Sequence, residues 1–388
     1  MEYKYILLKN CCSKIGSGAT PKGGKSVYTE EGTSFIRSQN VYNLSFSYKG
    51  LAHITEDAAN KLKGVTVKEG DVLLNITGDS VARTCVVPND VLPARVNQHV
   101  AIIRPDHSLN PYYLNYYLAS PAMQGYLLNI ASTGASRNAI TKGAIEKLSI
   151  SAPPIGIQRC IASILSAYDN LIENNNKRIR LLEQMAENLY KEWFVRFRFP
   201  DHEKAEFENG LPKGWRRAPL KTICEFERGK NITASEMISG NIPVISAGVS
   251  PSGYHNKSNV LGTSVTISSS GANAGFISIH YEDIWAADCS FISEESTKYI
   301  YYVYEVLNNM RAVVDNLQRG AAQPHVYPKD INRITIVVPD ENIRAKANEK
   351  FFQLHKMIAN LLQQNIFLSR QRDLLLPRLM SGKLEVKA

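Results

Sequence analysis

The chain has 388 residues, 44% of them hydrophobic and 21% charged, with a formal net charge of +9. That length accommodates two or three domains with cores of their own, and the composition is globular rather than disordered or fibrous. No apolar run approaches the ~18–20 residues of a membrane span, and the apolar part of MEYKYILLKNCCSK is too short for a signal peptide.

The six cysteines (Cys11, Cys12, Cys85, Cys160, Cys224, Cys289) show neither C-x-x-C spacing nor a His-rich neighbour. Reduced thiols in a cytoplasmic protein are therefore expected, with no zinc and no disulfide framework. The basic balance fits a polyanion partner.

Residues 1–152 read as a mixed α/β globule. Its strand candidates are Ser34–Ile36, Val72–Ile76, Val100–Arg104 and Lys147–Ser151, separated by Gly-rich turns, and Pro111 opens a helix, PYYLNYYLAS. Pro153-Pro154 closes the globule. Residues 153–198 hold one long helix, from about 155 to 197. Its apolar rows at seven-residue spacing are Leu165, Ile172, Ile179, Ala186, Trp193 and Ile161, Tyr168, Asn175, Leu182, Leu189. Residues 199–216 are a polar link containing two prolines and Gly210.

Residues 217–340 form a second globule, with strand candidates Val244–Ser246, Val265–Ser268, Ile284–Ala286 and Ile334–Val338. Residues 341–388 carry the second long helix. Its rows are Ala347, Leu354, Leu361, Leu368, Leu375 and Phe351, Ile358, Asn365, Arg372, Leu379. Pro377 is expected to end or kink it near Leu376.

The second half repeats the first. GASRNAITKGAIEKLSISAPP from Gly134 aligns without a gap on GAAQPHVYPKDINRITIVVPD from Gly320, an offset of 186 (320 − 134), and the offset persists along both helices. A repeat of this length is two modules, not a solenoid. Near the start of each globule Leu8…Cys12 matches Leu220…Cys224 at 212 (220 − 8), so the first globule is longer by 26 (212 − 186). The fold class follows: α/β (α+β), two similar mixed α/β globules separated by two long antiparallel coiled-coil helices in a pseudo-twofold repeat.

Catalytic motifs are not evident. Gly18-Ala-Thr-Pro-Lys-Gly-Gly24-Lys25-Ser26 has five residues where a Walker loop needs four, and no helix start follows it. Ala152-Pro153-Pro154-Ile155 lacks both the amide or carboxylate and the aromatic of an adenine-methyltransferase motif. No metal-nuclease cluster and no Gly-x-Ser-x-Gly elbow is found. A lone histidine such as His99 or His325 is more often a satisfied structural residue than a catalyst.

What remains are polar, turn-rich loops suited to base edges, because Arg fits guanine and Asn or Gln fits adenine bidentately. In the first globule they carry Lys22 and Lys25 toward phosphates, then Arg37, Gln39 and Asn40, Asn75 with Thr77, Arg83, Gln98, and Ser136, Arg137 and Asn138. In the second they carry Ser246, Ser252 with Tyr254, Ser269 and Ser270 with Asn273, and Arg319 with Gln323 and His325.

Facing core positions of an antiparallel pair have a constant sum of residue numbers. Of the sums 533, 540 and 547, only 540 sets Asn175 opposite Asn365 and leaves no buried amide against an apolar partner. The paired stretch of about 32 residues then spans roughly 48 Å, enough to hold two heads about one DNA turn (~34–36 Å) apart.

The strings LSAYDNLIENNNKRIRLLEQMAENLYKEWFVRFRFP (165–200), LPKGW (211–215) and LLLPRLMSGKLEV (374–386) resemble the specificity (S) subunit of type I restriction–modification enzymes. IRSQNV, GDVLLNITGDSVARTCVV, NQHVAIIRP and TISSSGANAGF resemble that family's target-recognition domains, although no counterpart of LPKGW precedes Tyr3–Leu8. The resemblance spans essentially the whole chain. It implies two target-recognition domains reading the halves of a bipartite, asymmetric site in double-stranded DNA. It also implies helices that dock two methyltransferase (M) subunits, with motor-nuclease (R) subunits joining them. S-adenosylmethionine, ATP and magnesium would then sit on those partners, and this chain would hold no cofactor and no catalytic residue. The rival readings are a self-contained adenine methyltransferase or nuclease, and a coiled-coil adaptor without DNA contact.

Overall fold

The structure, a computed structural model, describes residues 4–133, 139–320 and 324–387. The chain divides into two compact units. The first comprises residues 1–174 and 364–388, the second residues 175–363.

In the first unit, Lys4–Leu7 pairs antiparallel with Ser149–Ala152, so the globule closes on its own first strand. A four-stranded antiparallel sheet follows in the order Thr84–Val86, Val72–Asn75, Val100–Pro105, Cys12–Ser17. A second sheet of five short strands is built around the parallel pair Thr33–Ile36 and Ala94–Val96. The helix Pro111–Ala119 starts where Asn110 Oδ1 accepts from Tyr113 N at 3.0 Å, with proline in the first turn, where its missing N–H costs nothing. Apolar side chains of the four-stranded sheet, of this helix and of the long helices form one core. It includes Val72, Leu74, Ala101, Ile103, Tyr113, Ile161, Leu165 and Leu379.

The second unit repeats the plan with fewer residues. Arg216–Pro219 pairs with Thr335–Val338, the four-stranded order is Glu227–Arg228, Cys289–Ser293, Ser264–Ser268, Ile277–His280, and Ile242–Ile245 runs parallel to Trp285–Ala286. The offset between matching strands falls stepwise. It is 212 (216 − 4) at the first strand, 209 (242 − 33) at the parallel pair, 189 (289 − 100) beyond it and 186 (335 − 149) at the last. The first unit's extra residues therefore sit in connections, among them the hairpin Val41–Tyr42/Ser45–Phe46 and the helix Glu56–Lys61.

The first long helix runs Ile155–Tyr190 and ends in a π turn, Lys191–Val195. The second runs Glu341–Met380, through Pro377. The expected end near Leu376 does not occur. Proline deprives only one carbonyl a turn earlier of its donor, and burial of Leu376, Leu379 and Met380 holds the last turn in place.

Within each unit the long helices pack antiparallel. In the first, Arg372 bridges to Asp169 at 2.5 Å, a sum of 541 (372 + 169). In the second, Ile179 and Leu182 of the first helix cluster with Ile358 and Leu361 of the second. Asn175 is buried and Asn365 half-buried.

The link 199–216 is less polar in place than in sequence. Phe199, Leu211 and Trp215 enter the core of the second unit, and Trp215 Nε1 donates to Asp340 at 3.2 Å. Among the described residues no helix is long and apolar enough to cross a membrane.

Candidate nucleic-acid interface

In each unit the strand ends of the two sheets converge on one edge, and the same four contacts build that edge in both. Val100 pairs with Asn75 as Cys289 pairs with Ser268, which sets the equivalence. First, the side chain at this position reaches across to the loop after the parallel pair. Asn75 Nδ2 donates to Ser38 O at 2.9 Å, and Ser268 Oγ to Ala247 O at 3.0 Å. Second, two residues further on, a hydroxyl ties the residue before the next strand: Thr77 Oγ1 with His99 Nδ1 at 2.6 Å, and Ser270 Oγ with the Asp288 carboxylate. Third, Ile76 N donates to His99 O and Ser269 N to Asp288 O. Fourth, Ile140 N donates to Ile76 O and Val326 N to Ser269 O, bringing the connection after the globular helices to the same edge.

A glycine seals each edge. Gly18 N donates to Val100 O and Gly229 N to Cys289 O. A Cβ at Gly18 would overlap the Val96 and Asn97 carbonyl oxygens, and one at Gly229 those of Ala286 and Ala287. Only glycine lets the backbone pass this close. After Gly18 the chain makes a single 3-10 turn, Gly24–Val27, with Lys22 and Lys25 exposed, and not an α-helix start.

The clasps divide the expected reading residues. Asn40 and Asn75 are fully buried. Asn40 Oδ1 accepts from Arg37 N and its amide donates to Ser47 O, so both asparagines shape loops rather than face outward, contrary to the sequence expectation. Ser269 and Ser270 are likewise buried, and Thr77 is spent on His99. Arg37 and Gln39 both donate to Gly50 O. Arg83 lies over the Tyr42 ring, 4.8 Å from its centroid, and Ser252 Oγ donates to Val244 O. Arg319 is exposed but anchored to the buried Asp330 at 2.8 Å, and His325 bridges back to Arg319 and Ser270. Gln98, Asn273 and Tyr254 are exposed, and Ser246 is half-buried. Ser136, Arg137, Asn138 and Gln323 lie outside the described residues.

Asp288 escaped the sequence reading. It is a carboxylate at the clasped edge of the second unit, 3.5 Å from the exposed Arg228 guanidinium, where the first unit has His99. A carboxylate there suits an amino group of cytosine, and the neighbouring Arg suits guanine. Only strand-level equivalence reveals the position, because the local offset differs from both offsets visible in the sequence.

The family model for the type I restriction modification DNA specificity domain matches residues 3–184 and 212–367. The MjaIX type I restriction enzyme specificity subunit of Methanocaldococcus jannaschii is 24% identical over 405 residues, covering 96% of this chain and 92% of that one. The HindI specificity subunit of Haemophilus influenzae is 21% identical over 434 residues, covering 90% and 94%. The crystal structure of a type I restriction–modification S subunit from M. genitalium shares the fold, with a TM-score of 0.61 at 16% identity over 97% of this chain and 96% of that one. With two clasped edges on a duplicated frame and a family model matched twice along its length, this chain belongs to the DNA specificity subunits of type I restriction–modification systems.

Proposed function

We propose that each unit reads one half of a bipartite, asymmetric site in duplex DNA, through the edge its clasps hold in place. The observation that carries this reading is the pair of equivalent edges with different outward chemistry. One has Gln98, His99 and Arg83, the other Asp288, Arg228 and Asn273. Equal frames with unequal side chains are what two different half-sites require.

In this reading the chain catalyses nothing. It works in the cytoplasm with two methyltransferase subunits, which hold S-adenosylmethionine and methylate adenine, and with motor-nuclease subunits, which use ATP and magnesium to cleave.

The test is to replace residues 217–340 with the matching segment of a relative and sequence the methylome. One half of the methylated site should change and the other stay. A change in both halves would end the modular reading. The rival, a self-contained methyltransferase, is separated by equilibrium dialysis of the purified chain against S-adenosylmethionine. The present reading expects none to be retained.

A further inference from the structure

The second unit contains a cleft of about 480 Å³, away from the clasped edge. Glu183 of the first long helix, Tyr304 and Glu305 of the helix Ile300–Asn309, and His355 of the second long helix line it. Glu305 and His355 are each only 2% exposed. His355 Nε2 lies 2.9 Å from Glu305 Oε1, and its Nδ1 lies 2.7 Å from the Tyr281 hydroxyl. The second oxygen of Glu305, Oε2, is buried with no protein partner among the described residues. An ionised carboxylate oxygen only accepts, so whatever completes this floor must donate.

We propose that this cleft is a socket for one arginine side chain of the methyltransferase subunit, which docks on the first long helix. The inference rests on the reading that the chain works in such an assembly. A guanidinium offers five donors in a planar fork, enough for Glu305 Oε2 and for the Glu183 carboxyl together, where a compact ammonium suits fewer. The Tyr281 and Tyr304 rings line the same space, and aromatic faces attract a cation. Arg180 and Arg311 also line the cleft, and Arg311 is engaged by Asn308 at 3.1 Å. An anionic ligand drawn to them would meet the bare Glu305 oxygen and be repelled. The occupant belongs to a protein because Leu181 and Met185, 59% and 56% exposed and one helical turn apart, flank Arg180 and Gln184 on the same helix.

The test uses the full chain and ethylguanidinium, observed by saturation-transfer NMR. The unaltered chain should bind it saturably. Glu305→Gln and the surface change Glu183→Gln should each weaken binding at least about five-fold. Tetramethylammonium, a cation without donors, should show weaker transfer, from the aromatic faces alone. Equal binding by Glu183→Gln, or equal transfer to tetramethylammonium, would overturn the socket. In the complex with the methyltransferase subunit the ethylguanidinium signal should vanish. If the complex forms and the signal persists, the assigned occupant is wrong. If the unaltered chain forms no complex, the functional reading fails, while the first titration still decides the socket's chemistry.

Discussion

His280 sits at the end of the strand Ile277–His280, with Nε2 2.9 Å from the Thr266 hydroxyl, and burial lowers its pKa from the ordinary 6.5 to about 4. Below pH 6.5 the unfolded chain therefore takes up a proton that the folded unit refuses until about pH 4. The second unit should keep its full stability above pH 6.5 and lose it as the solution is acidified. Each pH unit in that window is worth about 1.4 kcal/mol, so acidification to about pH 5 costs about 2 kcal/mol and the whole window about 3 kcal/mol. The assay is unusually clean. The chain's three tryptophans, Trp193, Trp215 and Trp285, all belong to the second unit, so urea unfolding followed by tryptophan fluorescence reports on that unit alone. Other groups titrate in the same range, which is why the comparison is with His280→Gln, a neutral side chain that still reaches a hydroxyl. Between about pH 7.5 and about pH 5 the unaltered chain should lose about 2 kcal/mol more than the variant. Parallel losses would refute the assignment of a buried, neutral imidazole.

Gly18→Ala and Gly229→Ala should each destabilise their own unit by about 2–3 kcal/mol through overlap with backbone carbonyls. Gly16→Ala, which meets nothing within 4 Å, is the control for Gly18→Ala, with urea unfolding followed by far-ultraviolet circular dichroism because the first unit holds no tryptophan. Asp169 accepts from the Tyr116 hydroxyl while bridging to Arg372, so Asp169→Ala should cost about 2 kcal/mol. Adding Arg372→Met to it should cost less than the sum of the single changes, since the two residues share one interaction; thermal unfolding of the four proteins checks this. Asp288→Asn should alter the methylated motif at one base pair of one half-site and leave the other half intact, as read by methylome sequencing. Lys25→Ala should leave ATP-dependent cleavage by the assembled enzyme within a few-fold, because the turn it occupies is not built to hold a nucleotide phosphate.

The long helices were legible because heptad spacing is a local signal. Burial follows the rows, with Leu165, Ile179, Ala186 and Trp193 inside and Ile172 half-buried at the centre. The eight strand candidates agree with the structure to within a residue or two, because each is a short segment with apolar residues bounded by turn chemistry. The strands Thr84–Val86 and Ala94–Val96 are not among the candidates. The reading edges were legible as regions and not as side chains. Asn75 and Gln98 look alike in a polar loop, yet one closes a clasp and the other faces outward. That difference depends on which strand end lies opposite, a non-local fact. Asp288 was hidden for the same reason, since its partner in the repeat is a histidine and shares no identity with it.

The pairing of Lys4–Leu7 with Ser149–Ala152, and of Arg216–Pro219 with Thr335–Val338, has a consequence for heredity. Each head leaves the chain beside the point where it joined. Two crossovers between related genes, far apart in the coding sequence, therefore fall side by side at a single seam in the protein. A foreign head has to match that strand pair and the long-helix side chains that share its core. Recombination at this seam would hand a cell a new DNA specificity in one event, with the helical frame inherited unchanged.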